Sequence, residues 1–135
     1  MLPEGIVQKM LQNDPYSQWL GVKIDSVKKG EVIVSLSVKP AMLNGFSIAH
    51  GGITYALSDS CLAFSANSYG QQAVSIETSI SHIAPVFEND MLQTRVKEIS
   101  RTNKIGIYHI DIVNQHEVVV SNFKGTVFFK KEAWS

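Results

Sequence analysis

The sequence predicts an α+β protein in which a curved antiparallel β-sheet wraps around one long, buried helix. The prediction rests on an apolar helical segment near the middle of the chain and on four alternating segments after it, which short turns separate. Short connections favour antiparallel neighbours, because parallel strands need long crossovers. The element order of helix, two strands, long helix and four strands therefore indicates the α+β class.

The first half of the chain predicts a helix followed by a hairpin. Ile6 and Met10 recur at helical spacing over residues 3–13, before Asp14 and Pro15 interrupt the pattern. Residues 21–38 are rich in β-branched side chains, and the Lys-Lys-Gly turn at 28–30 divides them into two strands. Nothing resembling a linker or repeat follows, so residues 1–135 are expected to form one domain.

Residues 50–68 predict the central helix. Ile53, Leu57 and Phe64 cluster on one side of a helical wheel, while Leu62 and Tyr55 fall on the opposite side. A helix that is apolar nearly all round must be covered on both sides. We expect the sheet to cover one side and a second copy of the chain to cover the other.

Strand periodicity dominates the chain after Gly70. Val74, Ile76 and Ile80 alternate with polar residues, and three further strands are predicted at about 91–100, 104–115 and 117–130. Polar turn sequences separate these segments, at 88–90, 101–103 and 114–116.

Charge and composition exclude several classes of partner. The formal net charge is zero with no long run of one sign, so neither nucleic acid nor an anionic membrane surface is expected to bind. The charge-free stretches at 40–58 and 60–76 are interrupted by Gly, Asn and Pro and do not predict a membrane span. Glu4, Lys9 and Asp14 interrupt the N-terminus where a signal peptide needs an apolar core. With Cys61 as the only cysteine, a reducing, cytoplasmic location is expected.

The start of the central helix carries the first candidate for chemistry. Gly51 and Gly52 leave the backbone open to close approach, and their N–H groups lie at the positive end of the helix dipole. This arrangement suits an oxyanion hole. The structural alternative is that the two glycines only allow a tight entry into the helix.

Asp59 is the second candidate. Aspartate is a poor helix former and is seldom buried without partners, yet Asp59 lies in mid-helix among Leu57, Cys61 and Leu62. Desolvating a carboxylate is costly, so such a residue is usually retained for a partner or for a function. A hydrogen-bonded structural aspartate is the alternative.

His50 and Asp59 cannot meet on one helix. They are nine positions apart, which corresponds to about 13.5 Å of rise and about 180° of rotation on an ideal α-helix. If both serve one substrate, two chains must build the site.

These residues resemble a known family. Asn44, His50-Gly51-Gly52 and Asp59, followed by AVSIETSISHIAPV at 73–86 and NKIGIYHIDIV at 103–113, are similar to the PaaI-like (phenylacetic acid degradation) acyl-CoA thioesterases of the hotdog superfamily. The resemblance covers roughly residues 15–130. It implies a hotdog fold, hydrolysis of an acyl-CoA thioester, and a homo-oligomer, either a dimer or the tetramer common in that family.

The resemblance also implies roles for individual residues. Asp59 would activate water or attack the thioester directly, and the Gly51 amide would polarise the carbonyl from the other subunit. Asn44 and His50 would lie beside the thioester, and Ser75 would help to place the water. Gly52 would contact the substrate together with Gly51. No cofactor is implied, because CoA is part of the substrate.

Contacts to the CoA nucleotide are less well defined. Many relatives have an arginine before the proline of the strand-end motif, where this chain has Ala84. Arg101 and Lys104 lie at a predicted turn, where they would either meet the CoA phosphates or form a solvated loop.

Other chemistries have weaker support. His82, His109 and His116 show no metal-ligand spacing, and no G-x-S-x-G elbow for a serine nucleophile is present. Cys61 falls on the apolar face of the helix and is interpreted as a structural thiol.

Two other functions remain open at the sequence level. A hotdog dehydratase or hydratase would need a histidine base, and the His50-Gly51-Gly52 context with no His-Phe-Pro-Gly-like segment disfavours it. A non-catalytic acyl-CoA-binding module would use the same pocket but would gain nothing from Asp59 beside an uncharged thioester.

Overall fold

A six-stranded antiparallel sheet wraps around one long helix in the computed structural model, which describes all of residues 1–135. The elements in chain order are α1 (Pro3–Gln12), α2 (Pro15–Leu20), β1 (Lys23–Lys28), β2 (Glu31–Ser37), a 3₁₀ turn (Pro40–Met42), α3 (Gly51–Asn67), β3 (Gln71–His82), β4 (Met91–Arg101), β5 (Ile105–Val113) and β6 (Val119–Ala133). The predicted α+β class, both predicted helices and the hairpin are confirmed. No helix has the length and apolarity needed to cross a membrane.

Helix α2 was not predicted. Pro15 ends α1 as expected, but proline is also tolerated in the first turn of a helix, and here it begins α2. The side chain of Asp14 caps this helix by accepting a hydrogen bond from the Ser17 amide at 3.0 Å. Gly21 ends α2 in the left-handed conformation, with φ of 75°.

The strand order in the sheet is β1-β2-β4-β5-β6-β3. The short turns after β4 and β5 join antiparallel neighbours, as predicted. The turn at 88–90 does not, because β3 pairs with β6 while β4 pairs with β2. β3 therefore lies at one edge of the sheet, with no strand on its outer side.

The core lies between the concave face of the sheet and α3. Leu57, Cys61 and Phe64 of α3 are buried against strand side chains such as Tyr108 and Phe123. Gly125 of β6 allows this close packing, because a Cβ atom there would lie 2.5 Å from Leu62 Cδ2. The helix is thus fixed against the sheet along its inner face.

The outer face of α3 is only partly covered by the chain itself. Helices α1 and α2 pack on it, and the hydroxyls of Ser17 and Ser60 are 2.8 Å apart. The expectation that only a second copy would cover this face was therefore incomplete. A stripe containing Gly52, Tyr55 and Asp59 stays exposed or half-buried.

Candidate active site

The N-terminus of α3 is capped by His50. Its Nδ1 atom accepts a hydrogen bond from the Gly52 amide at 2.9 Å. The Ile53 amide donates to the His50 carbonyl oxygen at 2.9 Å, whereas the Gly51 amide has no acceptor within the chain. A free N–H group at a helix N-terminus is suited to bind a developing negative charge.

Gly51 borders a cavity of about 370 Å³. The cavity is lined by Asn44, Ile48, Ala49, Gly51, Thr54, His82, Ile83, Ala84, Pro85, Val86 and Val120. Asn44 uses its Oδ1 atom to accept from the Phe46 amide at 2.8 Å, and its Nδ2 group has no partner in the chain. The cavity therefore offers two free N–H donors in a mainly apolar surround.

His82 also lines this cavity, although no pattern in the sequence predicts a role for it there. The Thr54 hydroxyl donates to the Gly51 carbonyl oxygen at 3.1 Å, and it lies 3.3 Å from His82 Nδ1. Because the hydroxyl has one proton, it accepts from His82, which places the imidazole proton on Nδ1 and the lone pair on Nε2. His82 Nε2 lies beside Gly51, 3.0 Å from where a Cβ atom would be. Only the fold shows this, since β3 brings residue 82 to the start of α3.

Asp59 lies on the outer face of α3, between two other cavities. One, of about 380 Å³, extends toward α2 and includes Asp14 and Tyr16. The other, of about 230 Å³, extends toward β3 and includes Ser75. Gly52 borders the first of these and not the Gly51 cavity, because it shares a helix face with Asp59.

The carboxylate of Asp59 accepts no hydrogen bond in the chain. Burial raises its pKa above the ordinary value, and the negative charge of Asp14 adds to the increase. Ser75 lines the same cavity but does not donate to Asp59, so no hydrogen bond from it opposes the increase in pKa. Asp59 is thus a partly buried carboxylate without a hydrogen-bond partner in its own chain.

One chain does not bring the predicted site residues together. Gly51 and Asn44 line one cavity, whereas Asp59 and Ser75 line another. Gly51 and Asp59 are eight helical residues apart, about 12 Å along the axis of α3.

Arg101 and Lys104 lie away from these cavities. The Arg101 guanidinium is centred 3.8 Å above the Tyr69 ring, and its Nε atom is 3.6 Å from a Glu98 carboxylate oxygen. Arg101 therefore already has structural partners at the end of β4. Lys104 is exposed in the turn before β5. The structure places neither residue with the catalytic candidates.

Cys61 is a structural thiol, as expected. It is fully buried, and its Sγ atom donates to the Val32 carbonyl oxygen at 3.3 Å. Burial raises its pKa to about 11, which disfavours the thiolate that a nucleophile requires. No group of three or more His, Cys, Asp or Glu side chains is arranged to hold a metal ion.

The sequence and the fold match a known family. Residues 46–121, which include the α3 cap, Gly51 and Asp59, match the Thioesterase superfamily. The acyl-coenzyme A thioesterase PaaI of Escherichia coli is 34% identical over 116 residues, which cover 86% of this chain and 83% of that protein. The chain belongs to the thioesterase superfamily.

Structural comparison places it more narrowly. The structure of E. coli PaaI, from the phenylacetic acid degradation operon, superposes with a TM-score of 0.95 at 30% identity, covering 98% of this chain and 96% of that one. A Streptococcus mutans structure bound to acetyl-CoA matches with a TM-score of 0.80 at 25% identity, covering 84% and 91% of the two chains. The protein is a thioesterase of the PaaI-like hotdog type, as its sequence predicts.

Proposed function

We propose that this thioesterase hydrolyses acyl-CoA thioesters to a free acid and CoA at a site shared between two subunits. The observation that carries the proposal is a pair of unsatisfied groups on α3. The Gly51 N–H has no acceptor and the Asp59 carboxylate has no donor, although each borders a cavity. Both groups border cavities and have no partner within the chain, so both are free to contact a substrate that enters there.

The chemistry follows from these two groups. Asp59 takes a proton from a water molecule, which attacks the thioester carbonyl carbon. The carbonyl oxygen gains negative charge, which the Gly51 N–H and the positive end of α3 stabilise. The C–S bond then breaks and CoA leaves as a thiolate. In the alternative, Asp59 attacks the carbonyl carbon itself and water hydrolyses the resulting anhydride.

Two subunits are required because Gly51 and Asp59 of one chain face different cavities. In the proposed dimer, Gly51, Asn44 and His50 of one subunit meet Asp59 and Ser75 of the other. The edge strand β3 supports this assembly, since it is 12 residues long and exposes Val74 and Ile76. Long apolar edge strands pair readily with another chain, and a two-fold axis would repeat the same contact. A tetramer would add a second interface to this dimer.

CoA is proposed as the carrier on the basis of relatives. E. coli PaaI is named as an acyl-coenzyme A thioesterase, and the S. mutans structure contains acetyl-CoA. Arg101 and Lys104 lie away from the cavities of their own chain. They would bind the CoA phosphates only where a neighbouring subunit places the CoA nucleotide beside them. A cytoplasmic location stays a prediction.

A substrate screen tests the proposal. Purified protein is incubated with acyl-CoA and acyl-carrier-protein thioesters of aromatic, medium-chain and hydroxylated acids, and free thiol is measured. Thiol release from CoA esters by wild type, and not by Asp59→Asn, is expected. Tight binding of CoA esters without release would instead indicate a binding module, and preferential release from carrier protein would overturn CoA as the carrier.

A further inference from the structure

We propose that Asp14 is a positioning residue for thioester hydrolysis that acts through Asp59, because hydrogen bonds from Ser17 hold its carboxylate in the cavity that also contains Asp59. This inference rests on the proposed function, because it assumes that Asp59 is the base or nucleophile. It extends that function to the N-terminal segment, which contains none of the motif residues.

Both carboxylates face one cavity. The cavity of about 380 Å³ is lined by Asp14, Tyr16 and Ser17 from the N-terminal segment and by Asp59 with its neighbours on α3. The N-terminal helices therefore form a wall of the cavity beside Asp59.

Hydrogen bonds fix Asp14 in this position. Its Oδ1 atom accepts from the Ser17 amide at 3.0 Å, and its Oδ2 atom accepts from the Ser17 hydroxyl at 2.6 Å. The Ser17 hydroxyl oxygen is in turn 2.8 Å from that of Ser60, the residue after Asp59. This network connects the cap of α2 to α3 and holds the Asp14 charge at a constant place relative to Asp59.

The two carboxylates differ in what they contact. Asp14 accepts two hydrogen bonds from Ser17, whereas Asp59 accepts none within the chain. Burial first, and the charge of Asp14 second, raise the pKa of Asp59. Paired acids in unlike surroundings commonly divide the roles of fixed charge and proton acceptor.

Within one chain, no Lys, Arg, His or Glu side chain borders the two cavities that contain Asp59. The remaining ionisable side chains around these cavities are the phenols of Tyr16 and Tyr55. Strands β3 and β6 contribute only Ala73, Val74, Ser75 and Val127 there. In its ionised form, a more basic Asp59 removes a proton from water more effectively.

The test compares pH profiles of kcat/KM for wild type and Asp14→Asn. Asparagine keeps the shape and the helix-capping ability of aspartate but lacks its charge. The acidic limb of the profile reports the ionisation of Asp59. In Asp14→Asn this limb is expected to move to lower pH by about half a unit to one unit. Turnover on the plateau should fall by about two- to fivefold, because the base becomes weaker.

Controls separate this effect from other causes. Glu31→Gln removes the same charge from an exposed position on β2 and should leave the profile unchanged. Serine also caps helices, so Asp14→Ser should reproduce the shift of the acidic limb. This variant replaces Asp14→Asn in the test if Asp14→Asn folds poorly. A purely structural role for Asp14 would lower the rate equally at every pH and would overturn the proposal.

A second readout does not depend on activity. Carbon NMR of the Asp59 side-chain carboxyl should show a lower titration midpoint in Asp14→Asn than in wild type. If Asp59→Asn is inactive but Asp14→Asn has the wild-type profile and midpoint, only the role of Asp14 fails. If Asp59→Asn keeps full activity, the proposed function itself fails.

Discussion

The Nδ1 atom of His50 accepts the hydrogen bond of the Gly52 amide at 2.9 Å, so the two glycines of the motif are not equivalent. The Gly52 amide is used in capping the helix, and the Gly51 amide stays free. The same contact fixes the imidazole of His50 with its proton on Nε2, because Nδ1 is the acceptor. His50 thus selects which amide is offered to a substrate.

Gly51→Val is expected to lower turnover by about 10²-fold or more, the scale for losing one oxyanion donor. A side chain there would block the approach of the carbonyl oxygen and press on His82, whose Nε2 atom lies 3.0 Å from the Cβ position. Steady-state hydrolysis measures the effect. Gly5→Val in the first turns of α1 is the matched control, with normal turnover expected. Near-normal activity of Gly51→Val in an intact oligomer would show that the thioester binds elsewhere.

Asp59→Asn is expected to lower turnover by about 10²- to 10⁴-fold if Asp59 is a general base, and by more if it is a nucleophile. Asparagine has nearly the same shape, and no hydrogen bond of Asp59 is lost because the chain provides none. Substrate affinity should change little, since the thioester is uncharged. Circular dichroism and sedimentation control for fold and assembly. A well-folded variant that keeps more than about a tenth of wild-type turnover would contradict the mechanism.

Much of the fold was predictable because local chemistry and tertiary structure agree. The apolar pattern at 50–68 gave α3 within one residue at each end, since His50 and Ser68 are its caps. Helix α2 was missed because six residues are too few for periodicity to show, and because Pro15 was interpreted only as a terminator. The position of β3 at the sheet edge depends on pairing between distant residues, which spacing along the chain does not encode.

The candidate site was predictable only in part, for a similar reason. Gly51 and Asp59 were identifiable because a glycine pair at a helix start and an aspartate in an apolar helix are each locally unusual. Asp14 and His82 carry no such signal in the sequence. An aspartate before a proline is typical of a turn or cap, and a histidine at a strand end is ordinary. Only the fold brings these two residues to α3. Asp14 precedes Asp59 by 45 residues in the sequence, and His82 follows Thr54 by 28 residues.

Ile76→Lys is expected to weaken the oligomer and lower activity with it. Ile76 is 58% exposed on the edge strand β3, where a charge opposes pairing with a second chain. Sedimentation at micromolar concentration should show the wild type as a dimer or tetramer and the variant shifted toward monomer. The matched control is Ile99→Lys, because Ile99 is also an exposed apolar residue, at 45%, but lies on the inner strand β4. This variant adds the same charge without changing the edge strand. An active wild-type monomer would refute the shared site.

Asp59 should also reduce stability at neutral pH. Burial and the charge of Asp14 raise its pKa in the folded state, so ionisation is less favourable there than in the unfolded chain. For a raised pKa, the stabilising contribution is complete below the unfolded value of about 3.9 and is lost as pH rises through the folded value. At pH 7 the wild type therefore bears the cost of a desolvated charge that Asp59→Asn does not have.

Asp59→Asn is accordingly expected to have a higher Tm than wild type at pH 7, by roughly 2 °C. The value is modest because solvent reaches part of the carboxylate. Thermal unfolding is measured from pH 3 to pH 8 at one protein concentration, because Tm of an oligomer depends on concentration. The difference should disappear toward pH 3, where Asp59 is protonated in both folded and unfolded states. Glu31→Gln, at an exposed site, should show little change at any pH. A lower Tm for Asp59→Asn at pH 7 would mean that the charge of Asp59 stabilises the fold, and would identify it as a structural residue with a partner in the oligomer.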